Sequence, residues 1–520
     1  MKSRLLVFFT IQSLFISNVW SITLEQASDR GTPGVFNYDV LFTNPVCDGF
    51  EYEVEIKSEE GELLTKKPVG AWCSKSSADA SGARESSPQN RLVKIINDPT
   101  TKEIFLTYLS FSNGAVTDAL VENIESRDLK VTLMFDHPAF GSGIHPEHFI
   151  PAQFMERSRT ALKASDLEDQ QFFNYVFKKR NENFNAENPN SPRWVNNYKV
   201  NRPLQILQAE SQTEANSPTL YLRGHDRSTL GYAHNKLIIV NPNDPEKITL
   251  VFSSGNMSSG AILHHENWHF VTLSPKTYFA QAHMCLMNGM IDHGLTKNDF
   301  VRYIKSCRRD ISYDEESDIK TFFVPGEGDA AFEQVKAMIN RASKIDMAAH
   351  RFSHSGIINL LEDRIEDDGL KFRLIADDDM YWAKFEYRSD RQRHRFPNNA
   401  REYNNVKKLL EAGEYRRNNR SYNRAKVQFV QTNHWSRLLH HNKFILERNR
   451  WGTVKSVFCG AGNFTKAAFS KNYENFYYIT ITSVRTAFAE QYDYLWEISS
   501  THAEMPERNI KPNGDNTLIQ

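Results

Sequence analysis

The sequence lacks a net charge of either sign and, beyond its first residues, any long hydrophobic run. Its 63 Lys and Arg residues nearly balance 64 Asp and Glu residues, which leaves a formal net charge of −1. A chain without an overall basic field lacks the general attraction to polyanions that marks many nucleic-acid binders. No apolar run after the N-terminal segment is long enough to cross a bilayer, so we expect no membrane span there.

The N-terminal segment is typical of an export signal. Lys2 and Arg4 precede an apolar stretch from Leu5 to about Ile16, and we expect cleavage after Ser21. The alternative, a membrane anchor, is less favoured because the stretch is short for a span. We therefore predict that residues 1–21 are a signal peptide and that the protein is secreted or periplasmic.

Cysteine is scarce, with five residues in the whole chain. Export permits disulfides, and the pairs closest in sequence are Cys47 with Cys73 and Cys285 with Cys307. Cys459 is then left over, and we expect it to be buried. These pairings are hypotheses, because connectivity cannot be deduced from sequence alone.

The sequence does contain a long internal repeat in which strand patterns alternate with helix patterns. In each copy a helical stretch leads to an apolar strand, which ends at Asp136 in the first copy and at Asp377 in the second. This alternation predicts an α/β fold of two similar α/β-sandwich lobes, each with a mostly parallel sheet flanked by helices. Such sheets bind ligands at the carboxyl ends of strands, where both aspartates stand.

The repeat also divides the chain into segments. Strand and helix patterns mark the two lobes, and a charged stretch between them predicts a linker. The expected segments are the signal peptide (1–21), an appended β-rich segment (22–91), the first lobe (92–307), the linker (308–318), the second lobe (319–500) and a C-terminal tail (501–520).

Each copy of the repeat contains His-Asn-Lys before an apolar strand and, 22 positions after the histidine, an asparagine. A Glu-Asn pair follows further along each copy. A chance match at all these positions, twice and in the same order, is improbable, and retention for folding alone does not explain polar residues beside apolar strands. The candidate catalytic residues are His234, Lys236, Asn256 and Glu266 in the first copy and His441, Lys443, Asn463 and Glu474 in the second.

In these motifs the sequence resembles the phospholipase D superfamily, whose signature is H-x-K-x4-D followed by G-S-x-N. The resemblance covers roughly residues 92–500, and it implies that the two motifs meet across a pseudo-two-fold axis to form one site. The aspartate of the signature is replaced by Asn241 in the first copy and by Arg448 in the second. Its serine is present as Ser254 but replaced by Ala461 in the second copy.

The resemblance implies phosphodiester chemistry that needs no metal and no cofactor. One histidine attacks phosphorus and forms a phosphohistidine, while the other protonates the leaving oxygen and then activates water or an alcohol. Lysines and asparagines hold the non-bridging oxygens, and each glutamate either fixes the tautomer of a histidine or forms a salt bridge at a strand edge. Family precedent favours His234 as nucleophile and His441 as acid and base; the sequence itself does not distinguish them.

A competing motif lies inside the first copy. His265 and His269 flank Glu266 in an H-E-x-x-H pattern, which is typical of zinc proteases. That chemistry requires a helix, so that both histidines face the same way. The residues that follow predict a strand, so we do not favour a zinc-protease site.

The substrate class is suggested by less specific features. A basic insertion, Lys384–Lys426, carries 13 Lys and Arg against 5 Asp and Glu, with tyrosines interleaved. It is either a solvated charged segment or a surface for nucleic acid or an anionic membrane. We interpret the chain as a secreted phosphodiesterase that hydrolyses phospholipids or transfers their phosphatidyl group. The alternatives are a secreted nuclease acting on DNA or RNA and a catalytically inactive binding protein, the latter motivated by Asn241 and Arg448.

Overall fold

The structure is a computed structural model that describes residues 20–22, 35–44, 54–57, 63–67, 75–136, 161–163, 198–224, 230–258, 260–311, 318–377, 380, 399–430 and 439–501. Residues 1–19 of the predicted signal peptide lie outside this part of the chain. So do Cys47, Cys73 and residues 384–398 of the basic insertion. Predictions about those residues are therefore not addressed by the structure.

The first lobe is built on a sheet with strand order β1-β2-β10-β9-β8-β5-β6-β7, and a separate hairpin pairs β3 with β4. Strands β5, β6 and β7 run parallel to one another, and the remaining neighbours in this order are antiparallel. These strands are β1 (Trp20–Ile22), β2 (Val35–Thr43), β3 (Val54–Lys57), β4 (Leu63–Lys67), β5 (Glu103–Tyr108), β6 (Lys130–Asp136), β7 (Thr219–Arg223), β8 (Lys236–Val240), β9 (Ile248–Ser253) and β10 (His264–Leu273).

The second lobe repeats this plan with strand order β11-β20-β19-β18-β12-β13-β16-β21. Strand β17 leaves the lobe and pairs with β10 of the first lobe, and β14 pairs with β15 in a hairpin. These strands are β11 (Ile319–Val324), β12 (Lys344–Ala349), β13 (Lys371–Asp377), β14 (Glu414–Arg417), β15 (Arg420–Asn423), β16 (Ala425–Val430), β17 (Leu439–His440), β18 (Lys443–Arg448), β19 (Val454–Gly460), β20 (Glu474–Ile479) and β21 (Ser500–Thr501).

The two-lobed α/β architecture is confirmed, but both sheets are mixed rather than mostly parallel. The strands that carry the repeated motifs, β8 to β10 and β18 to β20, pair antiparallel within each lobe. A parallel pair needs a crossover of a dozen or more residues. Only a short turn joins β8 to β9, and it begins at Asn241 with a positive φ of 54°. The motif strands therefore form hairpins.

Helices cover the outer faces of both sheets and also lie between the lobes. The described helices are α1 (Lys75–Ala83), α2 (Pro88–Asn97), α3 (Gly114–Arg127), α4 (Tyr198–Leu207), α5 (Gly260–Leu263), α6 (Tyr278–His293), α7 (Lys297–Arg309), α8 (Gly328–Arg341), α9 (Ser355–Glu366), α10 (Asn399–Ala412) and α11 (Thr482–Ile498). The side chains of Asn113 and His354 accept from backbone N–H groups at the starts of α3 and α9, which occupy equivalent places in the two lobes. Among these helices none combines the length and the apolar character that a membrane crossing requires.

Three hydrophobic cores hold the lobes together. One core packs α2, α3 and α4 against the first sheet, and a second packs α8, α9 and α10 against the other sheet. The largest core draws on both lobes, where Phe252 of β9 stacks on Tyr477 of β20 with ring centroids 3.9 Å apart. Because this core is shared, the two sheets and their motif strands are held in a fixed relation.

Two features differ from the predicted segment boundaries. The boundary expected between residues 91 and 92 falls inside α2. In addition β2, which was assigned to the appended segment, pairs with β10 and is a strand of the first sheet. The N-terminal segment thus completes the first lobe on the side where β11 completes the second.

The cysteines behave as expected where the structure describes them. A disulfide joins Cys285 of α6 to Cys307 of α7, with Cα atoms 5.9 Å apart, as predicted. Cys459 lies in β19, where it is free and buried.

Candidate active site

The repeated residues converge at one edge of each sheet. His234 precedes β8, which begins with Lys236, while Asn256 follows β9 and Glu266 lies near the start of β10. Because β8, β9 and β10 are successive antiparallel neighbours, the start of β8, the end of β9 and the start of β10 lie side by side. The same reasoning groups the four residues of the second lobe around β18, β19 and β20.

Two buried aspartates fix the segments that carry the histidines. Asp136, at the end of β6, accepts a hydrogen bond of 2.7 Å from the N–H of Ala233. Asp377, at the end of β13, accepts one of 2.7 Å from the N–H of His440. The aspartates therefore stand at the carboxyl ends of parallel strands, as predicted, and hold the backbone immediately before His234 and His441.

Backbone hydrogen bonds between the lobes bring the two histidines to a common site. The N–H of His234 donates to the carbonyl of Tyr473 in the second lobe, at 2.9 Å. The N–H of His441 donates to the carbonyl of His265 in the first lobe, at 3.1 Å. Each histidine is thus anchored beside the glutamate of the opposite lobe.

The histidine side chains also pair across the two lobes, each with the glutamate of the opposite lobe. Nδ1 of His234 lies 2.8 Å from Oε2 of Glu474, and Nδ1 of His441 lies 2.8 Å from Oε1 of Glu266. Both glutamates are fully buried. A carboxylate that accepts from Nδ1–H leaves Nε2 of the ring unprotonated and able to react or to exchange a proton. The arrangement selects the same tautomer in both histidines, and each lobe orients the histidine of the other.

The second oxygen of each glutamate is held by a different residue in each half. Ser254 donates to Oε2 of Glu266 at 2.6 Å. In the second lobe Ala461 occupies the equivalent position, and Asn472 donates to Oε1 of Glu474 at 3.0 Å instead. Asn472, two residues before Glu474, therefore compensates for the loss of the serine.

Two lysines supply positive charge beside the histidines. Nζ of Lys236 donates to the carbonyl of His234 at 3.0 Å, and Nζ of Lys443 donates to that of His441 at 2.7 Å. Burial lowers the pKa of Lys236 to about 8, against the opposing effect of the two glutamates. Burial also lowers the pKa of Lys443 well below its usual range. A bound anion would favour the charged form of both lysines.

The two histidines differ in their electrostatic surroundings. Burial lowers the pKa of His234, and the Glu474 carboxylate opposes that effect. Burial lowers the pKa of His441 well below its usual range, and Lys443 and Lys236 act in the same direction, as they also do on His234. His234 also contributes to the pKa of His441, as expected for two groups that share one site.

The two motif asparagines complete the arrangement. Asn256 is buried and Asn463 is half-buried. Within the described part of the chain, Oδ1 of neither residue has a hydrogen-bond partner. A buried polar atom is normally paired, so these amides are available to a ligand between the lobes.

The asparagines that follow the glutamates, Asn267 and Asn475, serve the interface between the lobes. Nδ2 of Asn267 donates to Asn442 at 2.9 Å, and Oδ1 of Asn475 accepts from the N–H of Lys236 at 3.0 Å. Asn475 also receives a longer bond of 3.4 Å from Asn235. These bonds explain why an asparagine stands between histidine and lysine in both copies.

The two departures from the family signature lie at the far ends of the motif strands. Asn241 follows β8, where its Oδ1 accepts from the N–H groups of Lys102 and Glu103 at 2.7 and 3.1 Å. Arg448 ends β18 and is paired with the buried carboxylate of Asp346. Since a strand of five residues spans about 16 Å, these residues act on the fold and not on the site.

The structure adds residues that the sequence did not single out. His264 lies 3.5 Å from Glu266, measured between Nδ1 and Oε1, and the ring centroid of His350 lies 4.7 Å from that of His441. Arg351 follows His350 and contributes to the low pKa of Lys443. His350 directly follows β12, so its position at a strand end could have identified it, whereas the approach of His264 to His441 depends on the contact between lobes.

The H-E-x-x-H segment forms no zinc-protease site, because it lies on strand β10. Residues four apart on a strand are about 13 Å apart. The two outer histidines also bond elsewhere: Nδ1 of His265 lies 3.1 Å from Oδ1 of Asn44, and Nδ1 of His269 lies 2.8 Å from the hydroxyl of Tyr38.

The described part of the basic insertion does not border the histidines. It forms α10 and the hairpin of β14 and β15, which leads into β16 at Ala425. Ala425 pairs with Phe372 near the start of β13, whereas Asp377 at the end of β13 pairs with Val430. The hairpin therefore stands at the end of the sheet opposite to the site.

Comparison with known proteins identifies the second lobe. Residues 335–496 match the family described as cardiolipin synthase, PLD-like domain. No curated protein sequence matches the chain.

Solved structures with a similar fold include three enzymes. Phosphatidylserine synthase from Haemophilus influenzae is 10% identical, with a TM-score of 0.47, over 80% of this chain and 86% of that one. Nuc, a phospholipase D family member from Salmonella typhimurium, is 20% identical, with a TM-score of 0.25, over 35% of this chain and 96% of that one. Yeast tyrosyl-DNA phosphodiesterase is 11% identical, with a TM-score of 0.38, over 75% and 86% of the two chains.

The family match covers β18 to β20 and their His-Lys-Asn motif, and the first lobe carries the same motif on β8 to β10. The two copies meet in one site through exchanged His–Glu pairs. The second lobe therefore matches the PLD-like domain family over residues 335–496, and the first lobe carries a second copy of its motif.

Proposed function

We propose that the protein is a phosphodiesterase that works through a covalent phosphohistidine. The observation that carries this proposal is the pair of histidines, each oriented through Nδ1 by the glutamate of the opposite lobe. The exchange leaves two Nε2 atoms of equivalent chemistry at a site that also contains Lys236 and Lys443. A nucleophile, a proton donor and two cations are the groups that phosphodiester cleavage requires.

In the proposed reaction Nε2 of His234 attacks phosphorus, and the bond from phosphorus to the leaving oxygen breaks. His441 enters this step as an imidazolium, with protons on both ring nitrogens, and donates the proton on Nε2 to that oxygen. His441 then accepts a proton from water, whose oxygen attacks the phosphohistidine and releases His234. The lysines and the amides of Asn256 and Asn463 hold the non-bridging oxygens while negative charge builds on them.

The chain's own residues fill each role in this sequence of steps, so we propose that it proceeds without a metal. The assignment of His234 as nucleophile follows the family precedent. The retention of both His–Glu pairs also argues against a catalytically inactive protein, because Asn241 and Arg448 contact the fold away from the histidines.

We propose phospholipids as the substrate class. Tyr232, two residues before His234, exposes 44% of its surface, and an exposed amphipathic aromatic ring close in sequence to the histidine suits the boundary between a lipid head group and its chains. The basic hairpin of β14 and β15 stands at the other end of the sheet, so it does not extend the site into a basic groove. Export of the protein, which we also propose, would give it access to membrane surfaces.

A nuclease is the second candidate, and the hairpin of β14 and β15 is the observation that favours it. Tyr415 and Tyr422 stack with ring centroids 5.4 Å apart, and the guanidinium of Arg424 lies 4.5 Å from the ring centroid of Tyr415. Tyr422 is exposed and Tyr415 is half-buried, and aromatic rings beside arginines are typical of surfaces that bind single-stranded nucleic acid.

Hydrolysis of bis(p-nitrophenyl) phosphate in the presence of EDTA tests the chemistry. We expect activity in the wild type and its loss in both His234→Ala and His441→Ala, with His293→Ala, which lies on α6 away from the site, as the matched control. Quenching with an alkaline denaturant during turnover, in which the acid-labile P–N bond survives, should trap a phosphorylated histidine in the wild type. Activity that persists in either active-site variant, or that requires a metal, would contradict the proposal.

The substrate class is tested with phosphatidylcholine vesicles and single-stranded DNA under the same conditions. We expect head-group release from the vesicles and no cleavage of the DNA. Cleavage of the DNA without hydrolysis of the lipid would support the nuclease as the function of the protein. Replacement of Tyr415 and Tyr422 by alanine should then weaken DNA binding.

A further inference from the structure

A cluster of three potential metal ligands surrounds one of the two glutamates. His264, Glu266 and His441 each offer one ligand atom, and these atoms all lie within 4.8 Å of one another. Oε1 of Glu266 is 2.8 Å from Nδ1 of His441 and 3.5 Å from Nδ1 of His264. His264 and Glu266 point to the same side of β10 because they are two residues apart on a strand.

Two imidazoles and one carboxylate form a donor set that zinc commonly uses when its fourth position is open. Tetrahedral zinc with bonds of about 2.0–2.1 Å places its ligand atoms about 3.3 Å apart. The separations of 2.8 and 3.5 Å lie on either side of that value, so small side-chain movements would suffice to enclose an ion. The donors also exclude hard cations such as Mg²⁺, which prefer oxygen ligands.

The cluster can be reached from solvent on one side. The His264 side chain is 13% exposed, while those of Glu266 and His441 are nearly buried. An ion would therefore first meet His264 and then the carboxylate between the two histidines.

Among the residues that the structure describes, the equivalent place in the other half of the site offers no third ligand. There Asn472 occupies the position of His264 in the repeat, and its Nδ2 donates to Oε1 of Glu474. An amide donor satisfies the carboxylate without offering it a metal ligand. The potential site is therefore confined to the half around His441.

We infer that a divalent ion of the zinc class binds to His264, Glu266 and His441 and inhibits the protein reversibly. An ion in this position would draw the glutamate and a ring nitrogen of His441 away from the hydrogen bond that orients the ring. The inhibition rests on the proposed function, whereas binding of the ion does not. Chelators should accordingly raise activity, in contrast to their effect on a metal-dependent hydrolase.

Zinc titration of the full chain tests the binding. After treatment with a chelator, Zn²⁺ is added in competition with a chromophoric indicator to the wild type and to His264→Asn. The substitution reproduces the residue found in the other half of the site, so it should preserve the fold and a donor to Glu266. We expect the wild type to bind one ion at this site and His264→Asn to bind it at least about tenfold more weakly.

His265→Gln is the control, because its side chain points to the opposite side of β10 and bonds to Asn44. Its affinity for zinc should equal that of the wild type. In parallel, the zinc concentration that halves hydrolysis of bis(p-nitrophenyl) phosphate should rise in His264→Asn by the same factor as the dissociation constant, each variant being compared with its own zinc-free rate.

Equal zinc affinity in the wild type and His264→Asn would overturn the inferred site. Zinc that binds through His264 but leaves hydrolysis unaffected would overturn the inferred inhibition. A wild type that hydrolyses nothing yet binds zinc through His264 would support the site and contradict the proposed phosphodiesterase, so the two failures are distinguishable.

Discussion

The half of the site around His234 and the half around His441 share one frame and have different neighbours. In both halves an aspartate holds the backbone before the histidine, a lysine donates to its carbonyl, and a glutamate from the other lobe accepts from Nδ1. These are the features that the proposed reaction requires in both halves of the site. Their retention in two copies with little other similarity indicates that neither histidine acts alone.

The residues that surround the two histidines differ between the two halves of the site. At the end of β12 the His441 half carries His350 and Arg351, whereas the equivalent residues after β5 are Leu109 and Ser110. His264 adds a further histidine to the same half. Ionisable groups thus accumulate around His441, and among them Lys443, Lys236 and His264 act together with burial to lower its pKa.

The largest expected effect tests the exchange of glutamates between the lobes. Glu474→Gln and Glu266→Gln should each lower kcat by about 10²- to 10⁴-fold, because an amide no longer fixes the reactive tautomer of the histidine. In double-mutant cycles Glu474→Gln should add little to His234→Ala, and Glu266→Gln little to His441→Ala. Coupling of each glutamate to the histidine of its own lobe would refute the exchanged arrangement.

The pH dependence of kcat/KM separates the lysines from the histidines. The pKa of Lys236 is lowered to about 8, so its charge is present below that pH and is lost above it. With a p-nitrophenyl substrate, whose leaving group needs no protonation, kcat/KM should fall about tenfold per pH unit above pH 8. On the acid side it should fall below the lowered pKa of His234, where the nucleophile becomes protonated.

A profile that stays flat between pH 7 and pH 10 would show that the charge of Lys236 is not needed. Lys236→Arg, which remains charged throughout this range, is the matched variant for the alkaline limb. In this variant the decrease of kcat/KM above pH 8 should disappear, even if the larger arginine side chain lowers kcat/KM at every pH.

A smaller effect is expected from the residues that hold the second glutamate oxygen. Ser254→Ala, which copies the Ala461 of the other lobe, removes a hydrogen bond of 2.6 Å to Glu266. Since a bond to a charged group contributes about 1.5–3 kcal/mol, kcat should fall by roughly tenfold or somewhat more. Asn472→Ala should have a similar effect through Glu474, and Ser126→Ala, on the exposed end of α3, serves as the control. Unchanged kcat in both variants would mean that the glutamates hold their positions unaided.

The smallest effect is expected where the sequence departs from the family signature. Asn241→Asp restores the usual residue, yet it should change kcat/KM by less than about threefold because the side chain lies at the end of β8 remote from Lys236. It should lower the melting temperature, since the 2.9 Å hydrogen bond from Nδ2 to the carbonyl of Thr100 is lost. A tenfold change in activity would connect this position to the site after all.

Much of the site could be predicted because repetition reveals it. The equal spacing from His234 to Asn256 and from His441 to Asn463 identified the polar residues, and strand patterns placed Asp136 and Asp377 at strand ends. The mixed sheets were missed because local patterns show which segments are strands but not which direction their neighbours run. The role of β2 was missed for the same reason: its partner, β10, lies more than 200 residues away.

The sequence by itself predicted the eight repeated polar residues of the candidate site and that they come in two sets. Only the tertiary structure decided how the sets combine, because the same repeat is compatible with a glutamate that serves its own lobe or the other one. That choice depends on backbone bonds such as those of His234 to Tyr473 and His441 to His265, which join segments far apart in the chain. The proximity of His264 to His441 follows from the same contact, since burial of a shared core fixes the two lobes against each other.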